Sequence, residues 1–306
     1  MTQRTTSAKA PRNRTTPRRA RAATGSRSAI HPTAIISATA QLGKGVRIGP
    51  YTVIDGHVIL GDNCRVGPHV HLSGHTTIGE ETVIHAGAIV GDTPQDLAYD
   101  SKSVTHTEIG RKCTIREYAT IHRGSAPGSK TVVGDRSMLM GFVHLGHNCR
   151  IGSDVVIANL TVLAGHVEVE DRAFLSASVG VHQFVRIGTM AMIGAHNLIL
   201  QDVPPYCLLQ EGGVCGMNHV GLRRGGINQK TRLAVRGAIK VYFFSGLNRP
   251  NALATITERY RGIPEVSHFV AFVQSTKRGI IDARRRSQAE TEPAPEPDDD
   301  DSATGS

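Results

Sequence analysis

The stretch LMGFVHLGHNCRIGSDVVIANLTVL, residues 139–163, places a bulky aliphatic at every sixth position: Leu139, Leu145, Ile151, Ile157 and Leu163. The register extends unbroken from Val133 through Val169, Leu175, Val181, Ile187 and Ile193 to Ile199. An earlier series runs from Ile30 through Ile36, Leu42, Ile48, Ile54, Leu60, Val66, Leu72, Ile78 and Ile84 to Val90, and returns at Ile109, Ile115 and Ile121. Neither a 3.6-residue helix nor the two-residue alternation of a strand yields a period of six. A chain that turns a corner every six residues does, and that is the hexapeptide β-helix signature.

Three hexapeptides make one triangular coil of 18 residues, so these positions build about nine coils. At about 4.8 Å per coil the prism is roughly 40 Å long. The register breaks twice. Thirteen residues are inserted between Val90 and Ile109, and one position between Ile121 and Val133 falls on Pro127, in a Gly/Ser/Pro-rich stretch. Loops ejected from a solenoid cost little entropy per added residue and tend to carry function.

The period ends at Pro204-Pro205, so residues 30–203 read as the repeat domain and 204–286 as a helical domain. Asn228–Ser245, Asn251–Tyr260 and Glu265–Lys277 have helical spacing. A helical cap of this kind covers strand edges that an open prism exposes. Residues 1–29 hold eight Arg or Lys and no acid, and 287–306 hold seven acids and no base. Both compositions read as disordered tails.

The chain has no tryptophan and is 4% aromatic, which suits a narrow interior of stacked Ile, Leu and Val better than a broad globular core. Its net charge of +9 survives as +8 on residues 30–286, so the body itself suits an anionic partner. Sparse aromatics and the lack of a recognition motif disfavour nucleic acid. Five scattered cysteines without a C-x-x-C pair fit the reduced thiols of a cytoplasmic protein. No apolar run approaches the roughly 18 residues of a transmembrane segment. No secretory apolar region precedes the body; organellar import through the basic arm is the alternative localisation.

His144 and His147 stand three apart, His166 follows His147 by 19, and His182 follows His166 by 16. With an 18-residue coil, these offsets place histidines on neighbouring coils near one edge of the prism. Histidines at solvated corners are the bland alternative. A cluster supports two chemistries that spacing leaves open. Three neutral imidazoles bind zinc with a fourth position for water, as in γ-type carbonic anhydrases. One imidazole acts as general base while its neighbours hold substrate, as in acyltransferases.

Several segments go further. They are Ile30-His31-Pro32-Thr33-Ala34, Gln95-Asp96-Leu97, Thr120-Ile121-His122-Arg123-Gly124 and His144-Leu145-Gly146-His147. Others are Leu163-Ala164-Gly165-His166, Val181-His182-Gln183-Phe184 and Gln201-Asp202-Val203-Pro204-Pro205-Tyr206. In this order, from about Ile30 to Ile281, the chain resembles the UDP-N-acetylglucosamine O-acyltransferases that begin lipid A synthesis. The resemblance implies a left-handed parallel β-helix with a C-terminal α-helical cap, assembled as a homotrimer. It implies transfer of a 3-hydroxyacyl group from acyl carrier protein to the 3-OH of UDP-N-acetylglucosamine, with no cofactor or metal.

By the same resemblance His147 is the general base and the backbone N–H of Gly165 faces the oxyanion. His144, His166 and Gln183 contact sugar or phosphate, His182 lies near sugar or acyl group, and Asp96 holds the glucosamine hydroxyls. Asn218, Arg223 and Arg224 contact substrate, and Ala195 is the acyl-chain ruler in a groove between subunits. Arg223, Arg224, Lys230, Arg232 and Arg236 are candidates for docking the acidic carrier protein. Three positions depart from the relatives. Asn148 stands where many have Asp, and Ala98 where many have Lys. The stretch Asn218-His219-Val220-Gly221-Leu222-Arg223-Arg224-Gly225 lacks their Glu and shifts the basic pair by one place. A zinc-dependent carbonic-anhydrase-like protein, a non-catalytic solenoid and a CoA-dependent acetyltransferase are the competing readings.

Overall fold

The computed structural model describes residues 29–284; the basic arm, save Ala29, and the acidic tail lie outside the described residues. Each hexapeptide contributes one short strand, mostly of two residues, and the corner that leads to the next. Strands three hexapeptides apart pair in parallel, so Ile36 aligns with Ile54, Ile54 with Leu72, and Leu72 with Val90. The first sheet has eleven strands and begins at Ala29–Ile30. The second has nine, from Ile35–Ile36 to Leu198–Ile199. The third has eight, from Gln41–Leu42 to Arg186–Ile187. Together they form the three walls of a left-handed parallel β-helix.

From Ile48 to Ile199 every aliphatic of the sixfold register is buried, and these side chains stack along the axis as one continuous core. In the first coil Ile30 is exposed and Ile36 and Leu42 are only partly buried, because no coil covers them. Corners are turned by residues in the left-handed region, and many of these are not glycine. Such residues also repeat at 18, so each edge of the prism has its own chemistry. One edge carries Tyr51, His69, Tyr118, Phe142 and Leu160. A second carries Glu81, Lys112, Arg136, Asp154 and Arg172, with ion pairs Lys112–Glu81 and Arg136–Asp154. The third carries Asn148, His166 and Phe184.

Both breaks in the register open at this third edge. Residues 93–105 leave between the strands Ile89–Asp92 and His106–Ile109, and residues 123–129 between Thr120–His122 and Lys130–Val133. Arg123 ties the two excursions together. Its Nη1 donates to the Gly91 carbonyl at 3.0 Å, and its guanidinium faces the Tyr99 ring at 5.8 Å. The Gly128 N–H donates to the Val104 carbonyl at 2.8 Å.

Strand structure continues past Val203, into the segment read from sequence as helical. Cys207–Gln210 joins the first sheet beside Met192–Ile193, and Gly213–Met217 returns antiparallel to it. Four helices follow: α1 (His219–Arg224), α2 (Gln229–Phe244), α3 (Arg249–Arg259) and α4 (Pro264–Gln274). The last three correspond to the three expected from sequence; α1 was not expected. Asn218, Asn228 and Asn248 cap the first three helices, each side-chain oxygen accepting from the backbone N–H three residues on. α2 buries Ala234, Val235, Ala238 and Ile239; α4 buries Val266, Phe269, Phe272 and Val273.

Two polar links fasten α4 to the prism. The fully buried Asp202 carboxylate accepts from the backbone N–H and Nε of Arg186 and from the Thr276 hydroxyl. Arg186 lies 4.2 Å over the Phe272 ring and donates to the Phe272 carbonyl and the Ser275 hydroxyl. Nearby, His268 stands between Glu170 and the Tyr206 hydroxyl. Glu170 pushes the His268 pKa up. Among the described residues no helix is long and apolar enough to cross a membrane.

Candidate active site

Coils of 18 residues stack three short columns at the third edge. Gly146, Ala164 and His182 form one, His147, Gly165 and Gln183 the next, and Asn148, His166 and Phe184 the third. The His166 N–H donates to the His147 carbonyl and the Phe184 N–H to the Gly165 carbonyl, which fixes the rise between them.

His147 is the centre. Its Nδ1 lies 2.9 Å from Asn148 Oδ1, and its Nε2 lies 4.0 Å from Asp96 Oδ2. That gap is too long for a direct hydrogen bond, and a hydroxyl can sit within reach of both groups. The His166 ring meets His147 edge-on at 5.2 Å and is itself stacked on Phe184 at 4.8 Å. Gly165 faces the imidazole closely: a Cβ there would stand 2.6 Å from Cε1 and 2.7 Å from Nε2 of His147. Among the described residues the Gly165 N–H donates to no other backbone group. Gly165→Ala should therefore push the imidazole out of place and lower kcat about 10²-fold, the scale of an ångström-sized misplacement. An unchanged kcat in a folded Gly165→Ala enzyme would remove this close approach from the argument.

The neighbouring imidazoles are held towards their neutral forms. Burial, then the adjacent His122, brings the His144 pKa to about 4. The His144 Nδ1 bonds the Thr120 hydroxyl at 2.8 Å. Burial, then the nearby His147, lowers the His166 pKa against the opposing pull of Asp96. His122 is buried, its ring edge-on to His144 at 5.0 Å, with no hydrogen-bond partner at Nδ1. Its pKa is lowered, chiefly by burial. A corner lined by neutral imidazoles offers hydrogen bonds without repelling a cation forming on His147.

The sequence-predicted residues fall into two groups. His144, His147, Gly165, His166 and Asp96 come together at this edge. His182 and Gln183 lie on the next coil, both exposed. Ala195 is exposed on another edge, three residues before Leu198. Asn218 caps α1, and its Nδ2 donates to the Met190 carbonyl at 2.8 Å, so it stands at the charged edge with Arg223 and Arg224 in the last turn of α1. Within one chain the structure does not bring these three to His147. Sequence reasoning gave no role to His122, Ser125 or Phe184. His122 lay within a family-like segment, and Phe184 could have been found by adding 18 to His166. Among the described residues no three His, Cys, Asp or Glu side chains converge as ligands of a metal ion.

Comparison with known proteins identifies the family of the fold. Residues 202–281 match the family described as UDP-N-acetylglucosamine O-acyltransferase, domain 2, and residues 57–92 and 130–165 match bacterial transferase hexapeptide repeats. The acyl-[acyl-carrier-protein]–UDP-N-acetylglucosamine O-acyltransferase of Burkholderia orbicola is 44% identical over 259 residues, 82% of this chain and 98% of that protein. The crystal structure of the Francisella novicida UDP-N-acetylglucosamine acyltransferase superimposes with a TM-score of 0.80 at 35% identity, over 83% of this chain and 94% of that one. The Arabidopsis enzyme gives 0.74 at 33% identity, over 82% and 99%. With a relative 44% identical over nearly its whole length and the helical cap matched by the family model, the chain belongs to the UDP-N-acetylglucosamine O-acyltransferase family.

Proposed function

We propose that this chain transfers a 3-hydroxyacyl group from acyl carrier protein to the 3-OH of UDP-N-acetylglucosamine, the first step of lipid A biosynthesis. The observation that carries the reading is His147, with Nε2 open towards Asp96 and Gly165 against its ring. A sugar hydroxyl is a weak nucleophile at neutral pH. Nε2 removes its proton as the oxygen attacks the thioester carbonyl, and Asp96 holds the sugar in that position. The Gly165 N–H is available to the developing oxyanion. The tetrahedral intermediate collapses with loss of the carrier thiolate, which takes up the proton, so the protein needs no nucleophile of its own. The nearby Cys149 thiol is an unsuitable nucleophile, since burial pushes its pKa up to about 12.

The working unit is a homotrimer in this reading. The edge carrying Tyr51, Tyr118, Phe142 and Leu160 leaves each of these side chains more than half exposed, a column of apolar surface that a second copy would cover. A neighbouring copy would also supply Asn218, Arg223 and Arg224 to a site that lacks them within one chain. Exposed Arg223, Arg224 and Lys230 suit an acidic carrier protein. Buried, reduced Cys64, Cys113, Cys149 and Cys207 fit a cytoplasmic setting.

The acyl chain follows the outward row Val162, Gly180 and Leu198 beside His144, with Ala195 at the far corner of that face. Ala195→Met should lower kcat/KM for long chains relative to short ones by about tenfold or more, as each clashing methylene costs that much. An unchanged chain-length profile would remove Ala195 as the ruler.

The direct test incubates the enzyme with 3-hydroxyacyl carrier protein and UDP-N-acetylglucosamine, without added metal, and identifies the ester by mass spectrometry. Ester from the carrier protein supports the reading. Transfer from acyl-CoA alone, or no product, overturns it.

A further inference from the structure

We propose that Ser125, on the excursion 123–129, is a positioning residue: it locks the Asn148 amide in the orientation that leaves the Nε2 of His147 unprotonated and facing substrate. The inference rests on the reading of His147 as the base. An amide side chain has two ends of nearly the same shape and opposite hydrogen-bonding character. If the NH2 end of Asn148 faced His147, it would donate to Nδ1. The imidazole proton would then sit on Nε2, and the base would be lost. Something must choose between the two orientations.

The choice is made by Ser125. Asn148 Oδ1 accepts from the Ser125 backbone N–H at 3.1 Å and from the Ser125 hydroxyl at 3.1 Å. A backbone N–H only donates, so the end of the amide that faces it is oxygen. The same oxygen lies 2.9 Å from His147 Nδ1. An amide oxygen carries no proton, so Nδ1 must supply one, and Nε2 keeps its lone pair. Asn148 cannot evade the contact. Its backbone sits in the left-handed region at φ 63°, and its N–H donates to the Thr131 hydroxyl at 2.8 Å. The excursion that presents Ser125 is pinned in turn by Arg123 and by the paired bonds between Ala126 and Ser129.

The arrangement matters because residue 148 is an amide. A carboxylate there has two equivalent acceptor oxygens and holds Nδ1–H whichever way it turns. Ser125 is therefore required beside Asn148 and would be dispensable beside Asp. This dependence separates positioning from mere structural support.

The test is a double-mutant cycle in the ester-forming assay. Ser125→Pro removes both donors and should lower kcat about 10²-fold, the lower end of a general base's contribution, with KM within about threefold. Ser125→Ala keeps the backbone N–H and should lower kcat about threefold, since one hydrogen bond of two remains. Asn148→Asp gives the imidazole a partner whose two oxygens both accept. In that background both Ser125 substitutions should cost less than about twofold, because the carboxylate cannot present a wrong end. Equal losses in both backgrounds, or none in either, overturn the proposal. If Ser125→Pro fails to fold, the Ser125→Ala cycle decides by the same comparison. An inactive wild type would overturn the functional reading and this one with it; an active wild type with additive losses overturns this one alone.

Discussion

Replacing His147 with alanine should lower kcat by about 10³-fold, within the 10²–10⁴ range of a general base, while KM changes by less than about fivefold. The asymmetry follows from the corner's construction. In the proposed reading Asp96, His144 and His166 remain to hold the sugar, and the Gly165 N–H remains for the oxyanion, so ground-state binding survives. What disappears is the acceptor for the hydroxyl proton. Full activity in the variant would mean that another group takes the proton, with His166, whose ring meets His147 at 5.2 Å, the first candidate. A loss confined to KM would make His147 a binding residue.

The second large effect falls far from the chemistry. Asp202→Ala should destabilise the protein by about 3–5 kcal/mol, the usual cost of removing one partner from a buried ion pair. The Asp202 carboxylate is completely buried, and three donors converge on it: two from Arg186 and the Thr276 hydroxyl. Without it, the Arg186 guanidinium stays wedged between the last coil and α4 with its charge unanswered. At roughly 2–4 °C per kcal/mol for a chain of this size, the melting temperature should fall by about 6–20 °C. Asp202→Asn keeps the shape and some acceptors and should cost less. A shift under 2 °C for Asp202→Ala would show that hydrophobic contacts of Phe269 and Phe272 alone hold the cap.

The prism was legible because each register position does one job. Leu145, Leu163 and Val181 must all face the same narrow interior, and no polar residue can take their place without disturbing the coils on either side. The helices were legible from their apolar spacing, which began the second at Asn251; the cap Asn248 starts it two residues earlier, at Arg249. The hairpin Cys207–Gln210 and Gly213–Met217 was not. It continues the first sheet from beyond Pro204-Pro205, where the sixfold spacing has already lapsed, and only its alternating burial marks it. The short α1 left too little periodicity to read.

At the site, the meeting of His147 with His166 follows from an offset close to one coil. Asn148 and Ser125 are 23 residues apart, because the excursion 123–129 lengthens that coil, and no fixed spacing relates them. Asp96 was reachable only through its place in a family-like segment, since it rides on an inserted loop. Asn218, given to substrate by resemblance, caps α1 within this chain, and no spacing in the sequence relates it to His147.

The uniform coil has one more consequence, which concerns length. Along the prism, the distance between any two features is counted in whole turns of about 4.8 Å. Inserting or deleting one residue inside a strand would turn the aliphatics below it out of the core. Only complete 18-residue units, or segments extruded at a corner, leave the interior intact. Coarse changes in the span between the His147 corner and the helical cap are therefore quantised. Finer adjustment falls to side chains on the surface, the place held by the exposed Ala195 in the proposed ruler. Two members of such a family can differ in the ligand they measure while sharing every buried residue, because the scale is engraved on the outside of an invariant rod.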